Sequence, residues 1–135
     1  MVNSNMTGKT HLIVGTLTGI GCAYLENKLG LDMSSSKLLL VVGCAIGSLL
    51  PDIDIENSLL GRFIPGWLFW RHRTVTHSIL FMIVIGIMGL VLKINLGFTA
   101  GMVVGIGTHL VLDAMTPRGL PYLLFPLIVR RGYRR

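Results

Sequence analysis

The residues of this 135-residue chain that could do chemistry are few and placed alike. His11 opens one apolar run, and Asp52 and Asp54 close another in Pro51-Asp52-Ile53-Asp54. His72 and His77 stand at the entry to a third, in His72-Arg73-Thr74-Val75-Thr76-His77-Ser78, and His109 and Asp113 lie at the end of a fourth. His109 and Asp113 are four residues apart, which puts both on one helical face, where they can grip one ion. Asp52 and Asp54 follow a proline at a helix end. They can chelate together from a turn, or one can ligate while the other orients a neighbour. His72 and His77 are five apart, so both reach one ion only through a turn at Arg73 to Thr76. Mixed imidazole and carboxylate donors favour zinc, with manganese or iron next, over magnesium and over thiolate-bound metals. His11, Asp52, Asp54, His77, His109 and Asp113 are the candidate ligands. They exceed one four-coordinate shell, which calls for two ions, or for one ion with outer acids and bases. Asp54 and His72 are candidates for moving protons, and Arg73 for clamping an anionic group such as phosphate.

The elements that must carry these side chains belong to a membrane. Hydrophobic residues make up 52% and charged residues 13%, against about 25% charged in a soluble domain. Mean hydropathy is +0.71. A soluble monomer, a disordered tail and a coiled coil are thereby excluded, and the length allows one domain. Four stretches lack Lys, Arg, Asp and Glu: Thr10 to Leu25, Leu38 to Pro51, Thr74 to Leu92 and Ile94 to Leu112. The fold expected is all-α and integral to the membrane. It is a bundle of about four short transmembrane helices near residues 10–26, 36–50, 76–92 and 95–114, within one domain covering 1–135. The first two stretches are short against the roughly 20 residues of a full span, so Lys37 must snorkel or a segment must be re-entrant. Glycines recur every four residues at Gly15 and Gly19, at Gly43 and Gly47, and at Gly97, Gly101 and Gly105. Such small faces let membrane helices approach closely, within one chain or between copies in a homo-oligomer. An interfacial or re-entrant segment is expected at 120–130, where Pro121 and Pro126 interrupt a short apolar patch ahead of Arg130, Arg131, Arg134 and Arg135.

Orientation follows from basic residues. With four crossings, Lys9, Arg62, Arg71, Arg73, Arg118, Arg130, Arg131, Arg134 and Arg135 share one side, and Lys28, Lys37 and Lys93 the other. Both termini and the middle loop are therefore expected in the cytoplasm. All seven candidate side chains then gather at the cytoplasmic helix ends. A single interfacial histidine is more often a structural hydrogen-bonder than a ligand. An ionisable group near the bilayer centre costs about 2.5–3.5 kcal/mol and less toward the interface, so seven at one end of one bundle point to a shared site. The net charge of +6 points to orientation and anionic lipid before nucleic acid, and no nucleic-acid partner is expected.

Other features carry less. Gly8-Lys9-Thr10 resembles the end of a phosphate loop, but the glycine required five residues earlier is Asn3. Thr74, Thr76 and Ser78 are read as helix caps, Trp67, Phe69 and Trp70 as an interfacial belt, and Cys22 and Cys44 as small buried hydrophobes. The N-terminal run lacks a small-x-small cleavage site and is read as a retained helix.

Taken in order, Thr10-His11 with Gly15, Pro51-Asp52-Ile53-Asp54, His72-Arg73 with Thr76-His77-Ser78, and His109 with Asp113, Thr116 and Gly119 carry a resemblance. The chain resembles the YdjM-like family of LexA-regulated, membrane-bound, metal-dependent hydrolases of bacterial inner membranes, from about Gly8 to Phe125. It departs at Thr74, where the family favours glycine. The resemblance implies a metal-dependent hydrolase, with His11, Asp52, Asp54, His77, His109 and Asp113 at the matching polar positions.

Three functions are expected to compete. A hydrolase at headgroup depth would act on an ester or phosphoester of an amphiphilic substrate, with membrane lipids as its partners. A divalent-cation or proton transporter would use the same side chains, but needs polar residues along its depth, and the helix middles are apolar. A metal that only ties helices together would leave no open coordination position.

Overall fold

The computed structural model describes residues 8–30, 36–55, 58, 60–63, 75–116, 119–120, 123–124 and 127, apart from the Asp54 side chain. Four α-helices make up the fold among these residues, and no strand occurs among them. They are α1 (Gly8–Lys28), α2 (Lys37–Gly47), α3 (Ile79–Val91) and α4 (Leu96–Ala114), with short 3-10 turns at Leu50–Asp54 and Val75–His77. The expected all-helical architecture and the four helix positions are present.

Helix ends follow local chemistry. Ser36, Ser78 and Asn95 cap α2, α3 and α4, each accepting a bond from the backbone N–H three residues on. The expected second helix, 36–50, stops at Gly47. Pro51 has no N–H, and its ring would collide with the carbonyl four residues back, which is that of Gly47. The chain leaves the helix through Ser48 and Leu49 and tightens into the 3-10 turn carrying Asp52. The expected third helix, 76–92, is likewise divided. Ser78 takes an extended conformation (φ −122°, ψ 156°) as the cap of α3, which leaves His77 on a separate turn.

α4 is the centre. It packs most extensively on α2, and also on α3 and α1, while α1 packs on α2. The α2–α4 seam is a backbone-to-backbone contact. A Cβ on Gly43 would strike the Phe98 carbonyl, one on Gly47 the Met102 carbonyl, and one on Gly105 the Cys44 carbonyl. α1 turns His11, Gly15 and Gly19 inward, a four-residue repeat lying on one face. Large apolar side chains face outward instead, among them Ile13, Leu17 and Ile20 on α1 and Ile83, Ile87 and Leu90 on α3. A water-soluble fold would bury such residues; here the interior holds glycines and polar groups beside a small apolar set of Leu40, Cys44, Leu49, Ile106 and Leu110.

Helix length separates these elements. α4 alone among the described helices is long and apolar enough to cross a membrane. α2 and α3 are apolar but have 11 and 13 residues, about 17 and 20 Å at 1.5 Å per residue, against a hydrocarbon core of about 30 Å. Of the expected interfacial segment 120–130, only Leu120, Leu123, Leu124 and Leu127 are described. There the Leu123 carbonyl accepts the Ile79 N–H at 2.9 Å, tying this part of the chain to the start of α3.

Candidate metal centre

Five of the expected side chains meet at one point. His11 comes from the first turn of α1, Asp52 from the 3-10 turn after α2, His77 from the 3-10 turn before α3, and His109 and Asp113 from successive turns of α4. None is more than 6% exposed. His72 and Arg73, and the Asp54 side chain, lie outside the described residues.

The separations are short and mutual. His77 Nε2 lies 3.2 Å from His109 Nε2. It lies 3.4 Å from Asp113 Oδ2 and 3.8 Å from Asp52 Oδ1. His109 Nε2 lies 3.6 Å from Asp52 Oδ1 and 3.7 Å from Asp113 Oδ2. His11 Nε2 approaches the other oxygen of the same carboxylate, Asp113 Oδ1, at 3.5 Å. The His11 ring is stacked on His109, with centroids 3.8 Å apart and planes at 18°. His77 meets His109 edge-on, at 5.1 Å and 68°.

Outer contacts orient the rings. His109 Nδ1 is 2.7 Å from the Ser48 carbonyl oxygen. A carbonyl only accepts, so Nδ1 carries the proton and neutral His109 presents a bare Nε2 to the cluster. His77 Nδ1 lies 3.1 Å from Thr76 Oγ1. Thr116 Oγ1 donates to the Asp113 carbonyl at 2.7 Å, closing the end of α4. Ser48 and Thr76 hold the site in ways their residue types do not announce. Ser48 serves through its carbonyl, and the signal for it is Pro51. A 3-10 bond to Ser48 O would need the N–H that Pro51 lacks.

Two overlapping groups are spaced to hold a metal ion: His11, His109 and Asp113, and Asp52, His77 and His109. The donor set fits such an ion. Zinc bound at about 2.0–2.2 Å in a tetrahedron has neighbouring donors about 3.3–3.6 Å apart. His77 Nε2 and His109 Nε2 lie 3.2 Å from each other and 3.4 to 3.8 Å from the nearer oxygens of Asp52 and Asp113. Two buried carboxylates also need compensating positive charge, since each unpaired buried ion costs several kcal/mol.

Fold and site together define an all-helical protein whose buried histidine–aspartate cluster is suited to a divalent cation. The chain belongs to the YdjM inner membrane protein family, whose model matches residues 6–134. It is 35% identical over 130 residues to the uncharacterized protein YvsG of Bacillus subtilis (strain 168), covering 93% of this chain and 76% of that one. No solved structure matches it. The family places the protein at the membrane, in keeping with its outward-facing apolar side chains.

Proposed function

We propose that the protein is a multi-pass membrane hydrolase that uses one divalent ion, zinc for preference, to cleave an ester or phosphoester of an amphiphilic substrate. The observation that carries this is the convergence of His77 Nε2 and His109 Nε2, 3.2 Å apart, on Asp52 Oδ1 and Asp113 Oδ2, each within 3.8 Å of both nitrogens. When bound there, the ion supplies Lewis acidity and lowers the pKa of a coordinated water. The chain's own residues do the rest. The Ser48 carbonyl and Thr76 hold the imidazoles in place, Asp54 and His72 move protons, and Arg73 holds anionic charge developing on the substrate. Nine of the 12 basic residues share the side of both termini in a four-crossing arrangement, so this reading puts the site at the cytoplasmic face among lipid headgroups. α2 and α3 would span by snorkelling of flanking residues and local thinning of the bilayer.

One observation favours a second reading, in which the ion only braces the fold. Every donor is buried, and the four donors come from three separate segments. The test is metal analysis of the detergent-purified protein by mass spectrometry, followed by a screen of phosphoester and lipid substrates. Near one ion per chain, lost in Asp113→Asn and His109→Ala with helicity kept, together with hydrolysis lost in the same variants, supports the hydrolase. Metal without hydrolysis supports the brace. Metal content unchanged in both variants overturns the site.

A further inference from the structure

The cluster offers five side chains where four donors complete a tetrahedron, and the ring geometry separates the fifth. We infer that His11 is not a ligand. It is a positioning residue that holds Asp113 Oδ1 and thereby turns Oδ2 toward the ion; this rests on the metal site proposed above.

An imidazole binds a metal through an sp² lone pair that lies in the ring plane, so two imidazoles on one ion must have planes that both pass near it. His77 and His109 satisfy this. Their rings are inclined at 68° and their Nε2 atoms converge to 3.2 Å. His11 and His109 do not. Their planes are within 18° of parallel and their centroids are stacked at 3.8 Å. An ion in the plane of His109 therefore lies well off the plane of His11. The triad His11, His109 and Asp113, close enough in distance alone, is unsuited to one ion in direction.

His11 Nε2 faces Asp113 Oδ1 at 3.5 Å, whereas His77 Nε2 and His109 Nε2 face Asp113 Oδ2. A carboxylate with one oxygen held from outside and the other turned to a metal is the usual second contact of a ligating acid. His11 is also buried on α1 and stacked against His109. The role thus assigns α1 to orienting the two α4 ligands, His109 by stacking and Asp113 through Oδ1.

The test loads the full-length protein in detergent with cobalt(II), whose visible bands report coordination number and donor type. Affinity is then measured by competition with a chelator. His11→Phe keeps the stacked ring and removes the donor, and His11→Gln keeps an N–H near the position of Nε2. The expected result is one cobalt per chain with wild-type band positions in both variants. His11→Phe should bind about 10- to 100-fold more weakly, and His11→Gln within a few-fold of wild type. Shifted bands in either variant, or loss of cobalt as complete as in Asp113→Asn, would make His11 a ligand and overturn the inference. Unchanged affinity in His11→Phe would overturn it from the other side. If His11→Phe does not fold, the bands and affinity of His11→Gln decide alone. Failure of the wild type to bind cobalt is seen before any variant is made, and it removes the metal site itself.

Discussion

His77 Nε2 and His109 Nε2 stand 3.2 Å apart in the protein interior, on rings inclined at 68°. The Ser48 carbonyl fixes a proton of His109 on Nδ1, which leaves Nε2 as the nitrogen that faces His77. A cation between the two rings would bind these nitrogens and balance the two carboxylates beside them. An ion that binds only the folded state stabilises it by mass action, by about 2.7 kcal/mol at a hundredfold excess over Kd. Zinc should therefore raise the Tm of the detergent-solubilised protein by several degrees, and EDTA should reverse the rise. Thermal circular dichroism reads both effects. A Tm indifferent to both would show that the cluster holds no ion.

His109→Ala separates the ion's contribution from that of the ring itself. With EDTA present in all samples, the variant should still melt below wild type. It leaves the Ser48 carbonyl without its donor, at about 1–3 kcal/mol, and opens a cavity between His11 and His77. Added zinc should then leave its Tm unchanged. A variant as stable as wild type in EDTA would mean that the bond to Ser48 contributes nothing to the fold.

The cluster was legible because ionisable side chains are rare in this chain and costly beside apolar runs. Asp52, His77, His109, Asp113 and His11 could be picked out by position alone, as could the four helices, from apolar runs and glycine spacing. What stayed hidden depends on direction. The lone pairs of His11 and His109 belong to helices far apart in sequence, and only their packed orientation shows the rings to be stacked rather than convergent. The Ser48 contribution was hidden because it is a backbone carbonyl. Charge-free run length also overstated α2 and α3, since Pro51 and Ser78 end helical geometry inside apolar sequence.

The glycine seam couples packing to the site. A Cβ at Gly105 would overlap the Cys44 carbonyl and come within 2.8 Å of the Ser48 nitrogen, both backbone atoms that cannot rotate away. Gly105→Ala should push α2 off α4, carry the Ser48 carbonyl away from His109, and lower stability and zinc affinity together. Gly21, on the same chain but with nothing within 4 Å of its Cβ position, is the control. Gly21→Ala should leave affinity unchanged and add up to about 1 kcal/mol of helix stability. Thermal melts and chelator competition on the two variants check the contrast, and equal behaviour would refute the coupling.

Asp52 is held by a 3-10 turn rather than by an α-helix, and Ser58 fastens that turn. Ser58 Oγ donates to the Asp52 carbonyl at 2.7 Å and accepts the Gly61 N–H at 2.8 Å. Each such bond contributes about 0.5–1.5 kcal/mol net, small against the whole fold but concentrated on one ligand-bearing turn. Ser58→Ala should therefore fold, melt slightly below wild type, and bind zinc up to about tenfold more weakly, since the turn must be ordered when the ion binds. Ser58→Thr, which keeps the hydroxyl, should restore affinity, whereas Asp52→Asn should lose it beyond rescue. Competition titration across the three variants ranks them. Wild-type affinity in Ser58→Ala would mean that the 3-10 turn Leu50–Asp54 positions Asp52 without help from Ser58.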